Sequence, residues 1–163
     1  KEDIIFSSSI CDANALSHLL SYFDTNYQIV AGHFISLHPW LSYQNLVDGS
    51  MFSLESPNMP WKEFSLGRAS SDSLIPKNTT AVEACEKILP SIKDKFTSFS
   101  YRTPLNTVTN GNLQIVVQDP PKLEQLLADI KSSFNDGVLF KFVEEDLVSI
   151  DFKGFMDMVC SEA

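Results

Sequence analysis

Three histidines and three cysteines carry most of the chemistry open to this sequence: His18, His33 and His38, with Cys11, Cys85 and Cys160. Imidazole titrates near neutrality and serves acid–base catalysis or metal binding, whereas a thiol needs an activating base beside it to act as a nucleophile. Cys11 and His18 are the cysteine and histidine nearest in sequence. Seven helical residues separate them by about 10 Å of rise, too far for direct contact if both lie on one helix. His33 and His38 are five residues apart on a predicted strand, so period-two alternation sends them to opposite faces. They form no metal pair unless a bulge at Gly32 re-aims one of them. Cys85 falls on an apolar helical stripe and Cys160 stands beside Val159, as buried, inert thiols do.

The common reaction signatures are absent. There is no Gly-x-Ser-x-Gly, no Cys-x-x-Cys and no His-Glu-x-x-His, and the 6 glycines, at 32, 49, 67, 111, 137 and 154, spell neither a phosphate loop nor a dinucleotide fingerprint. Glu144, Glu145 and Asp146 are adjacent acids of the kind that face water in a turn. These residues point to no catalytic set, no metal and no cofactor. The more suggestive feature is aromatic: His38-Pro39-Trp40 and Met59-Pro60-Trp61 place both tryptophans directly after prolines, and rigid rings of this kind are favoured interface anchors. The segment from Trp40 to Phe64 is therefore the expected partner-binding surface, through Trp40, Tyr43, Phe52, Trp61 and Phe64.

The elements that must position these residues follow from periodicity. Asp12 is placed to cap a first helix whose apolar face is Leu16, Leu19, Leu20 and Phe23. Tyr27 to His38 alternates as a long strand with Tyr27, Ile29, Ala31, His33, Ile35 and Leu37 on one side. Short strands are expected at Met51 to Glu55 and Glu63 to Gly67. Thr80 and Glu83 form a capping-box pattern ahead of a helix that Pro90 kinks or splits in two. Asn110-Gly111 suits a tight turn pairing Phe99 and Tyr101 with Leu113, Ile115 and Val117 in a hairpin. After Asp119-Pro120-Pro121 comes a helix with Leu123, Leu126, Leu127, Ile130 and Phe134 on one face. Strands at Val138 to Val143 and Leu147 to Phe152 and a helical tail at Phe155 to Cys160 complete the reading.

The expected architecture is a single α+β domain over 1–163, an antiparallel sheet with helices packed on one face. A helix and a hairpin-like part fill 1–60, and 61–163 follow the order of a split βαβ, ferredoxin-like arrangement. At 163 residues the chain is long enough to bury a core without disulfide or metal staples. Its 12 basic against 21 acidic residues give a net charge of −9, which argues against nucleic acid and allows a basic protein partner. Scattered cysteines, no apolar run of membrane-spanning length and no leader pattern predict a soluble intracellular protein, cytoplasmic or nuclear.

The leading expectation is thus a non-enzymatic protein-interaction domain, a subunit or adaptor of a larger complex. One alternative is a small enzyme or ligand carrier with an apolar pocket near His33, Tyr27 and Tyr101. Another is an acidic chaperone or immunity-type protein that shields a basic partner.

Overall fold

A computed structural model of the chain describes residues 10–50, 64–134, 140–155 and 158–161. Phe52, Trp61, the expected strand at Met51 to Glu55 and the expected helix stop at 135–137 lie outside the described residues.

Helix α1 runs over Cys11–Tyr27 and strand β1 over Ile29–Pro39, joined by the single residue Gln28. Gln28 takes a positive φ of 55° and its N–H closes on the Asp24 carbonyl, while an Asp24 carboxylate oxygen accepts from the Ile29 N–H. The chain therefore folds straight back, and α1 lies along β1. Asp12 does not cap this helix: Ile10 holds that position, and Asp12 is in the first turn with its carboxylate turned elsewhere.

The remaining elements are β2 (Ile75–Lys77), α2 (Ala81–Ile88), β3 (Phe96–Thr103), β4 (Asn110–Val117), α3 (Leu123–Phe134), β5 (Phe140–Val143) and β6 (Met158–Ser161). Short 3-10 turns occupy 64–67, 90–92 and 149–152. Pro90 splits the second helical run as its missing donor requires, so α2 ends and a 3-10 turn abuts it.

The α+β class holds, with four strands in order β2-β3-β1-β4 and a separate β5-β6 pair. Two features depart from expectation. The sheet is mixed, because β1 and β3 run parallel while β1/β4 and β2/β3 run antiparallel. The 99–117 hairpin does not form, since β1 lies between β3 and β4 and bonds to both. Asn110 and Gly111 are the first residues of β4, and Gly111 lies against the Phe34 ring instead of turning the chain. With β1 as the central strand, the split βαβ order expected over 61–163 alone is not recovered. At the C-terminus, 149–152 is a 3-10 turn instead of a strand, and the tail forms β6 parallel to β5 instead of a helix. Residues 64–67 likewise form a 3-10 turn where a strand was expected.

The core sits between the sheet and helices α1 and α2. Leu16, Leu20, Ile29, Phe34, Val82, Cys85 and Ile92 are buried together, with Leu113, Ile115 and Val117 of β4 packed against them. Burying each of the larger aliphatic chains contributes about 1.5–3 kcal/mol, which clamps α1 onto β1. Gly32 and Phe96 are register partners across β1 and β3, and a Cβ at position 32 would fall within the Phe96 ring, so only glycine fits there.

Candidate active site

A register shift decides which side chains β1 aims at α1. Pairing with β4 slips between Ile29 and Ala31, a β-bulge that comes just before Gly32. Ile29 is buried before the shift, but Phe34 and Ser36 are buried after it, so even-numbered residues face the helix over the second half of the strand. His38 belongs to that even set.

The result is a cluster at the open end of the α1–β1 pair. His38 Nε2 lies 2.8 Å from Asp12 Oδ2, and the Cys11 thiol points at Asp12 Oδ1 over 3.7 Å. One ligand atom from each of Cys11, Asp12 and His38 falls within 4.8 Å of the other two. Cys11 is exposed and Asp12 is buried. The second imidazole nitrogen, Nδ1, bonds the Thr109 hydroxyl at 3.2 Å, and the His38 carbonyl accepts from Thr103 Oγ1 at 2.9 Å. An ionised Asp12 can only accept, so Nε2 carries the hydrogen toward it and a neutral ring leaves Nδ1 to accept from Thr109.

Burial by itself would raise the Asp12 carboxyl, but the His38 hydrogen bond and charge, with bonds from Ser36 and Cys11, outweigh it and hold Asp12 below the usual carboxylate range. Burial, and then the Asp12 charge, push the Cys11 thiol up. The backbone N–H groups of the first helical turn pull the other way without reversing the shift.

Arg102 completes the site. It is the register partner of His38 across β1 and β3, and the Ser36 hydroxyl meets the Ser100 hydroxyl at 2.9 Å two residues earlier. Alternation therefore puts Arg102 on the same face as His38. Its Nε is buried with no hydrogen-bond partner among the described residues. A guanidinium nitrogen left unsatisfied on the strand position paired with His38 is what an anionic group would complete.

The sequence-predicted candidates fall elsewhere. Trp40 lines a cleft of about 480 Å³ with Leu41, Gln44 and Asn106. Tyr43 packs on Leu66 and Ile75, and Phe64 is exposed. His33 bonds Thr97, the Tyr27 hydroxyl bonds Asp129 and the Tyr101 ring meets Phe99 edge to face, so these three are tied to different neighbours. Cys85 is buried as expected, and burial raises its thiol to about 11. The Cys160 side chain lies outside those described.

The pair that sequence reasoning missed is Cys11 with His38. Pairing Cys11 with His18 looked along one helix, whereas the partner lies across the turn. The signal was in the lengths: 16 helical steps and 9 strand steps both span about 25–30 Å, so residues 11 and 38 return to the same end. Arg102 carried no such signal, because its place depends on β3 pairing with β1.

We expect Asp12→Asn to raise the alkylation rate of Cys11 by iodoacetamide several-fold at pH 7.5. Removing the negative charge lowers a raised thiol, so more thiolate exists at a given pH and the whole rate–pH curve moves to lower pH. Alkylation rates from pH 6 to 10, read on the Cys11 peptide, check this; an unmoved curve would show that the thiol does not feel Asp12.

Comparison with known proteins bears directly on this cluster. Residues 10–161 match the family described as glyceraldehyde 3-phosphate dehydrogenase, C-terminal domain. Relatives include the cytosolic glyceraldehyde-3-phosphate dehydrogenase 3 of Oryza sativa subsp. japonica, 33% identical over 157 residues, which cover 94% of this chain and 44% of that protein. The cytosolic enzyme of Dianthus caryophyllus is 34% identical over 153 residues, covering 92% of this chain and 42% of its own length. The glyceraldehyde-3-phosphate dehydrogenase of Serratia marcescens is 31% identical over 156 residues, covering 94% of this chain and 49% of its own length. The chain thus spans less than half the length of these relatives. The matches overturn the expectation of a non-enzymatic interaction domain or complex subunit and point to an enzyme, the class of the first alternative.

Proposed function

We propose, for a chain that belongs to the glyceraldehyde 3-phosphate dehydrogenase C-terminal domain family, that it supplies the covalent half of an aldehyde oxidation on a phosphorylated substrate. Cys11 is the nucleophile, the Asp12–His38 pair handles its proton, and Arg102 holds the substrate's anionic end. The observation that carries this reading is the gathering of thiol, carboxylate and imidazole at one end of α1 and β1, with Arg102 the register partner of His38 and its Nε unpartnered among the described residues.

The chemistry follows from the contacts. The Cys11 thiol proton leaves by way of Asp12 Oδ1, whose other oxygen is bonded to His38 Nε2, and the carboxyl, held low, relays that proton instead of keeping it. The thiolate adds to the aldehyde carbon, the carbonyl π bond breaks, and the resulting alkoxide takes a proton to give a hemithioacetal on Cys11. Thr109 fixes the imidazole plane through Nδ1 during this exchange. A dehydrogenase also needs a hydride acceptor. No run of the chain's 6 glycines fits a dinucleotide cradle. We read the chain as one domain and its compartment as cytosolic, the compartment of the Oryza sativa and Dianthus caryophyllus relatives.

The test uses glyceraldehyde 3-phosphate, the aldehyde in the relatives' names. It should protect Cys11 from alkylation in the purified protein at concentrations where unphosphorylated glyceraldehyde does not, with peptide mass analysis as the readout. Equal protection by both aldehydes would remove Arg102 from the substrate site. Protection by neither would end the nucleophile assignment.

A further inference from the structure

Cys11, Asp12 and His38 offer one sulfur, one oxygen and one nitrogen from two rigid elements, and this mixed set is the kind that selects zinc over magnesium or calcium. We propose that these three residues form a zinc site with an open fourth position, which closes the nucleophile reversibly when the ion is bound.

The geometry requires little movement. Zinc–sulfur and zinc–nitrogen bonds of about 2.3 and 2.0 Å set tetrahedral ligand–ligand edges of roughly 3.3–3.6 Å. The observed separations are 3.7 Å from Cys11 Sγ to Asp12 Oδ1 and 2.8 Å from Asp12 Oδ2 to His38 Nε2. These contacts use the two oxygens of one carboxylate, and one ligand atom from each residue lies within 4.8 Å of the other two, so seating the ion changes any ligand–ligand edge by at most about 1.5 Å. The charges also close: a thiolate and a carboxylate cancel the dication, with a neutral imidazole as third ligand. Binding releases the thiol proton, while the hydrogen on Nε2 moves to Nδ1, which then donates to Thr109 Oγ1. That outer contact is already in place and is the kind that orients a metal-bound imidazole. Asp12 gains similar support from Ser36. The hydrogen bond that the Thr103 hydroxyl donates to the His38 carbonyl keeps the third ligand on its strand.

The loss of activity on zinc binding rests on the reading of Cys11 as nucleophile, but the metal site itself does not. The experiment therefore measures binding directly, by titrating the purified protein with zinc against a chromophoric chelator and recording the thiolate-to-metal charge-transfer band after cobalt substitution. We expect one zinc per chain, the band present in the wild type and absent in Cys11→Ser, and affinity at least about tenfold weaker in Cys11→Ser, Asp12→Asn and His38→Gln. Circular dichroism of each variant separates a lost ligand from a lost fold. No band in the wild type, or unchanged zinc affinity in correctly folded Cys11→Ser and His38→Gln, would overturn the proposal. Aldehyde protection of Cys11, measured on chelator-treated protein, tests the nucleophile separately, so either reading can fail while the other stands.

Discussion

With Cys11 as the proposed nucleophile, Cys11→Ser is expected to abolish the proposed aldehyde oxidation, with kcat falling on the order of 10⁴-fold or more. A serine hydroxyl keeps nearly the same shape but ionises far less readily than a thiol, so the loss falls on the covalent step and not on binding. Cys11 is exposed at the first position of α1, away from the buried cluster of Leu16, Leu20 and Ile29, so thermal stability should be almost unchanged. The matched control is Cys85→Ser. That residue is buried in the core and its thiol is raised to about 11, so its replacement costs stability while the chemistry continues. Steady-state kinetics beside a melting curve reads both effects. A Cys11→Ser protein keeping more than a tenth of wild-type turnover would show that the nucleophile is another residue.

His38→Gln should lower kcat by about 10²- to 10⁴-fold, the usual range for removing a positioned acid–base group, with a small change in KM. Glutamine can still donate to Asp12 but cannot carry a proton away from it, so the variant separates holding the carboxylate from exchanging its proton. The pH profile adds a signed expectation. The Cys11 thiol is held above its ordinary range, so wild-type kcat/KM rises with pH as thiolate forms. Since Asp12 and the burial of the thiol remain, His38→Gln should keep that rise and lower the whole curve. A curve of normal height with only its midpoint displaced would mean that His38 tunes the thiol electrostatically and moves no proton.

Local elements were legible in the sequence, and their assembly was less so. The apolar spacing of Leu16, Leu20 and Phe23 and of Leu126, Leu127, Ile130 and Phe134 marks helices that the structure contains, and Pro90 ends α2 as its chemistry demands. The sheet order was misread because Asn110-Gly111 is a strong hairpin signal, yet here the strand on each side finds β1 as its neighbour. A long-range pairing outweighed a local preference. The site was hidden for a related reason: extending the alternation from Tyr27 puts odd residues inward throughout, and one slipped pairing near Ile29 reverses the phase before His38. Such a slip leaves no residue pattern of its own. The C-terminal strand was misjudged because Met158 to Ser161 is too short to show a period, and its partner β5 decides its state.

The single-residue link at Gln28 has a mechanical consequence. Helix and strand form two arms joined at a pivot, with thiol and imidazole at the tips and the aliphatic clamp partway along. An arm of about 25 Å converts a 5° change at the pivot into about 2 Å at the tip, which is the difference between a hydrogen bond and none. Reactivity is thereby geared to how firmly Leu16 and Leu20 seat on the strand, and softening the hydrophobic interior would detune the thiol long before the protein unfolds.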